Sequence, residues 1–181
     1  MSKASQVIVL GKDERHQQLV RRYLYRLSYR PHDIRFEALP SGRGCGEQWV
    51  RDVYADAVRA YRNRSSRAKT ALIVAIDADT GEVERRLSQF RSSLDQANVA
   101  FRTEKEAVVH LIPKRNIETW ILCLNGRIVD EITDYSRNTD VDELIAPAAA
   151  TLFVWSRPDA GVPVECVPSL RMAFPELRRL E

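Results

Sequence analysis

No apolar run in this 181-residue chain is long enough to span a bilayer, and its first residues show no signal-peptide pattern. The expectation is therefore a cytoplasmic protein with no membrane partner. Cysteine is sparse. Cys45, Cys123 and Cys166 make an odd count without paired spacing, which argues against a disulfide framework and against a zinc site. Lysine is the scarcer cation: of 28 basic residues, 23 are Arg and 5 are Lys. Arginine's planar fork suits phosphate, so the bias is compatible with nucleic-acid contact, but a GC-rich genome produces the same bias. A net charge of +3 is too small to name a partner. Internal repeats and low-complexity tracts are missing as well. The remaining composition, 44% apolar and 29% charged, is enough to give one domain a core and a solvated surface.

The strongest pattern runs from residue 70 to 86. Residues 71–76 are uninterruptedly apolar and bounded by turn residues, which predicts a strand buried on both faces. Such strands belong to parallel sheets, whose ligands bind at the carboxyl ends. Asp77 and Asp79 stand at that end, followed by a turn at Thr80-Gly81 and an amphipathic helix. Two carboxylates this close need a cation, a proton or hydrogen-bond donors. A magnesium ion shared with substrate phosphate would meet that need. Asp79 and Glu82 also have the spacing of a capping box, which accounts for Asp79 without chemistry and leaves Asp77 unexplained. Both readings stay open.

Elsewhere the periodicity predicts strands over 6–10, 34–39 and 107–112, with helices between them. The first helix, 14–27, carries the stripe Leu19, Val20, Tyr23, Leu24 and Leu27, with Arg15, Arg21, Arg22 and Arg26 on its outer surface. Residues 40–46 place three glycines around Arg43 and open into a helix over 47–61. Their spacing meets neither the P-loop nor the dinucleotide fingerprint, so a plain loop competes with an anion site at the helix start. The helix over 82–97 turns Val83, Leu87, Phe90, Leu94 and Ala97 inward, and Arg85, Arg86 and Arg91 are assigned to its outside. His110, inside the last strand, reads as hydrogen-bonded packing. Beyond it, 113–120 brings Lys114, Arg115 and Glu118 to a strand-to-helix junction. An acidic irregular stretch, 130–142, precedes a helix around Leu144–Phe153 and a last helix, 169–180, interrupted at Pro175. The order is α/β with a mainly parallel sheet.

Three junctions, 11–14, 77–82 and 114–118, thus carry charged groups. In that order they resemble the TOPRIM fold shared by topoisomerases, bacterial primases and the overcoming-lysogenization-defect nucleases. The first strand of that family ends in Glu-Gly, often with a second glutamate four residues after the first, and a later strand ends in Asp-x-Asp. Val9-Leu10-Gly11-Lys12-Asp13-Glu14 resembles the first motif and Asp77-Ala78-Asp79 matches the second. Residues 113–120 resemble the Ile-Glu-Asn-Tyr element of TOPRIM nucleases that accompany ATPases in phage defence. Gly46-Glu47-Gln48-Trp49-Val50 adds a likeness to small bacterial proteins.

The resemblance covers residues 6–125. It implies a TOPRIM-like domain over 1–125, with a sheet of about four strands flanked by helices, and a helical extension over 126–181 packed on the same domain. It also implies a Mg²⁺- or Mn²⁺-dependent nuclease, the effector of an anti-phage system. Asp77, Asp79 and Glu14 would hold the metal, Lys114 and Glu118 would complete the catalytic set, and Lys12, Arg43 and Arg115 would contact nucleic acid. DNA or RNA, an ATPase and a second copy of the chain are the partners compatible with it. One departure stands out. Where the family places its glutamate, this chain has Leu10, or Lys12 if the alignment shifts by two residues. Either Asp13 or Glu14 then supplies the carboxylate, or the chain is a binding or regulatory subunit of an ATPase-containing complex that has lost the chemistry.

Overall fold

Thr70–Ala75 forms a strand, β3, buried at every position, as an apolar run without alternation requires. The computed structural model describes residues 4–39, 46–79 and 81–181. It places β3 between β1 (Gln6–Gly11) and β4 (Val108–Leu111), with β2 (Ile34–Phe36) outside β1. The order is β2-β1-β3-β4 and every pairing is parallel. This is the predicted α/β class, a four-stranded parallel sheet flanked by helices, and it is consistent with a TOPRIM-like, Rossmann-like fold.

Period-2 alternation divides the strands between two cores. Val7, Val9, Ala71, Ile73, Ala75, Val109 and Leu111 face one side. There they meet α1 (Glu14–Arg26), α4 (Ile117–Leu124), α5 (Val141–Trp155) and α6 (Pro168–Leu177). Ile8, Leu10, Leu72, Val74, Ile76, Val108 and Ile112 face the other, against α2 (Gly46–Ser65) and α3 (Val83–Gln96). The C-terminal helices belong to the first core: Ile145, Ala148 and Leu152 of α5, with Leu170, Phe174 and Leu177 of α6, pack into it. α5 lies on α1 and α4, and α6 lies on β4. Glu176 of α6 accepts a hydrogen bond from the His110 backbone N–H at 2.9 Å, which covers an otherwise unpaired group on the edge strand.

Most boundaries shift by a residue or so from the sequence expectation, and the larger differences are these. β2 stops at Phe36 rather than residue 39, because Glu37 N–H makes one more bond to Val9 O and the chain then leaves the sheet. α2 runs on to Ser65. α6 passes through Pro175 unbroken, its apolar face against the core outweighing one missing N–H.

His110 is packing, as its place in the strand suggested. Its Nε2 pairs with the Tyr54 hydroxyl at 2.9 Å, and Tyr54 stacks on Phe90 with ring centroids 4.3 Å apart. Burial, and then the charges of Arg102 and Arg179, push its pKa well below the usual imidazole value, so the ring is neutral. Nδ1 has no partner. Tyr54→Phe removes the remaining bond while keeping the stack. It should cost about 1–2 kcal/mol in urea unfolding with an unchanged circular dichroism spectrum.

Candidate functional site

Parallel register brings the carboxyl ends of three strands level. Gly11 pairs with Ala75, and Ala75 with Leu111. The pairing continues past the strands through Lys12 N–H to Ala75 O at 2.9 Å and Ile76 N–H to Leu111 O at 3.0 Å. Lys12 thereby stands level with Ile76 at the rim, one residue short of Asp77. Alternation along β3 turns Asp77 toward the α1 side of the sheet, where it is 3% exposed.

Lys12 lies between the two aspartates. Its Nζ donates to Asp77 Oδ2 and to Asp79 Oδ1, both at 3.0 Å. Burial alone would lower the Lys12 pKa, but the charge of Asp77 and hydrogen bonds to both carboxylates override it and raise the value. The other oxygen of Asp77 meets His16 Nε2 at 3.0 Å, and His16 Nδ1 lies 2.8 Å from Asp13 Oδ1. Asp13 is also the N-cap of α1, accepting from the His16 backbone N–H. His16 is wholly buried. Burial disfavours its charge, yet Asp77 and Asp13 outweigh that and raise its pKa to about 10. Burial likewise works against ionised Asp13, but His16 holds its pKa far below the carboxylate range.

Asp79 takes a second cation. Arg86 Nη2 lies 3.3 Å from Asp79 Oδ2, Arg86 Nη1 bonds Glu47 Oε1 at 2.6 Å, and Arg86 Nε donates to the Asp77 carbonyl at 3.1 Å. Burial opposes ionisation of Asp79, but hydrogen bonds with Glu47 and Lys12 and the charges of Lys12 and Arg86 keep its pKa low. Its backbone is in the left-handed region, φ +57°, which Asp tolerates better than most residues. Asp79 and Glu82 do not form the capping box that their spacing allows. Glu82 is itself the N-cap of α3 and makes no side-chain cap bond. Arg86, assigned to the outside, is instead 4% exposed.

The other expected site residues are placed as follows. Glu14 is exposed and accepts from Gln18 Nε2 at 2.9 Å. Glu118 is buried against Arg15 Nη1 at 2.6 Å, and Arg15 Nε also reaches Asp142 at 2.8 Å. Lys114 pairs with Glu82 at 2.8 Å and Arg115 with Asp134 at 3.5 Å. Arg43 lies outside the described residues. Asp77, Asp79 and Lys12 are thus brought together, while Glu14, Glu118, Lys114 and Arg115 each sit in a separate ion pair or hydrogen bond.

The sequence reading passed over His16 and gave Arg86 and Gly46 other roles. His16 stands three and four residues before Leu19 and Val20, on the buried stripe of α1, and Arg86 lies between Val83 and Phe90 at the same spacings on α3. Helical spacing therefore marked both as inward. Gly46 opens α2 against the β1 exit, and a Cβ there would stand 2.0 Å from the Lys12 carbonyl oxygen. Only glycine lets the two segments meet.

A metal centre can be tested against this donor set. Asp13, His16 and Asp77 offer ligand atoms within 4.8 Å of one another and could hold a metal ion. Magnesium takes oxygen ligands in a near-octahedral shell, whereas a set with an imidazole suits transition metals. Both imidazole nitrogens already face carboxylates, and the space between Asp77 and Asp79 is bridged by Lys12 Nζ. The residues present do not fit magnesium between Asp77 and Asp79.

The protonated His16 makes stability depend on pH. Its folded pKa lies above the ordinary 6.5, so its contribution is complete below that value and is lost as pH rises through about 10. Between pH 6 and pH 10 the wild type should lose on the order of a few kcal/mol in urea unfolding, and His16→Gln should remove most of that slope.

No family model matches the chain, nor does any curated protein or solved structure.

Proposed function

We propose that this chain is a TOPRIM-like binding or regulatory module whose own lysine stands in for the metal ion. The observation that carries the reading is Lys12 Nζ at 3.0 Å from a carboxylate oxygen of Asp77 and another of Asp79. Two acids at the end of a buried strand need a counter-charge, and the chain supplies one from the position that aligns, after a two-residue shift, with the family's glutamate. A lysine there removes a metal ligand and adds a positive charge, and both changes weaken binding of a divalent cation. Arg86 neutralises Asp79 further. In this reading the module serves an ATPase-containing complex acting on DNA or RNA, as its resemblance to the phage-defence proteins suggests.

A second reading keeps a Mg²⁺- or Mn²⁺-dependent nuclease. The Asp13, His16 and Asp77 group favours it, since those side chains could hold an ion. The two readings part on metal dependence.

Thermal unfolding with and without millimolar Mg²⁺ or Mn²⁺ separates them. The proposed module shows no metal-dependent rise in Tm and no cleavage of DNA or RNA. Lys12→Glu should lower stability in chelator, because three carboxylates then share one buried rim, and should gain a metal-dependent rise of several degrees. Wild-type cleavage that requires the metal and disappears in Asp77→Ala would overturn the proposal in favour of the nuclease.

A further inference from the structure

Away from the rim, two thiols far apart in sequence meet. Cys123 lies in the last turn of α4, and Cys166 lies in the segment that leads into α6. Both are free and buried, each 4% exposed. Each thiol is the strongest influence on the ionisation of the other. Both also line one cavity of about 290 Å³, together with Arg127, Trp155 and Glu165. Two buried thiols that influence each other and share a cavity large enough for a small oxidant are more than inert core cysteines.

We propose that Cys123 and Cys166 are a redox-active dithiol that closes to an intramolecular disulfide when a hydroperoxide enters this cavity. The Cys123 thiolate attacks one oxygen of hydrogen peroxide and the O–O bond breaks. The hydroxide released takes up a proton and leaves as water. Cys123 is now a sulfenic acid. The Cys166 sulfur attacks the Cys123 sulfur, the S–S bond forms, the S–O bond breaks, and that hydroxide leaves as water with the Cys166 proton. Two thiols are oxidised and one peroxide is reduced to two waters.

The environment divides the roles. The hydrogen bond from Cys166 lowers the Cys123 pKa to about 7, which gives the thiolate needed for the first attack. The same hydrogen bond and burial raise the Cys166 pKa, so it stays a thiol until the sulfenic acid has formed. The new bond would join the end of α4, whose first turn carries Glu118 at the rim, to the entrance of α6, which covers β4. The spacing of the cysteines in sequence gives no hint of this, because the contact depends on the fold of the C-terminal third.

Peptide mapping of the full chain tests it. Reduced protein treated with a small excess of hydrogen peroxide, then denatured and alkylated, should yield one cross-linked peptide pair joining Cys123 and Cys166. Cys45 should remain alkylated, and dithiothreitol should restore both thiols. Oxidised wild type should gain on the order of 5–10 °C in Tm through closure of a long loop, and Cys123→Ser and Cys166→Ser should each abolish that gain. Cys45→Ser should leave cross-link and gain intact. Full alkylation of Cys123 and Cys166 after peroxide, a cross-link through Cys45, or overoxidation of either thiol without a cross-link would overturn the proposal. Because the mapping is done on wild type, a variant that fails to fold does not blunt it.

Discussion

One ammonium group between two carboxylates organises the carboxyl rim of this sheet. At 3.0 Å and an effective dielectric near 20, each contact from Lys12 is worth about 5 kcal/mol before desolvation, and desolvation removes most of that. What decides the outcome is that a single desolvated ammonium serves two acids at once. The raised Lys12 pKa has the same origin: attraction to Asp77 and Asp79 exceeds the cost of burial. Without that counter-charge Asp77, nearly enclosed at the end of β3, would face Asp79 and Asp13 with His16 and Arg86 left to balance them among the described residues.

The same pattern extends around the rim. Arg15 serves Glu118 and Asp142, Arg86 serves Asp79 and Glu47, Lys114 serves Glu82, and Arg115 serves Asp134. The acids of the rim are matched by cations from neighbouring loops and helices. Several of these pairs tie distant segments together. Arg15 links the start of α1 to the first turns of α4 and α5, and Arg86 links α3 to α2. The charges at the rim therefore act as part of the framework, whatever ligand or partner binds beside them.

Much of the fold was legible in the sequence because it rests on apolar periodicity. The unbroken run before Asp77 had to be a doubly covered strand, and β1, α1, α2 and α4 follow from stripes such as Leu19, Val20, Tyr23 and Leu24. Asp77, Asp79 and Lys12 were legible as residues of interest. Their relation was not, since it depends on the register that sets Gly11 against Ala75. His16 and Arg86 were missed for a different reason. Helical spacing marks both as inward, but it does not name the partners that make such burial tolerable, and those partners, Asp77 and Glu47, come from other elements. The Cys123–Cys166 contact was beyond reach for the same cause: it is made by tertiary packing of the C-terminal helices.

What occupies the space between Asp77 and Asp79 decides between a lysine-bridged rim and a metal site. Crystals grown in a manganese salt, with anomalous data collected at the manganese edge, address that space directly. Lys12 Nζ should be in contact with both carboxylates, with no anomalous peak between them. A peak there, ligated by Asp77 and Asp79 with the Lys12 side chain swung away, would contradict the lysine-bridged rim.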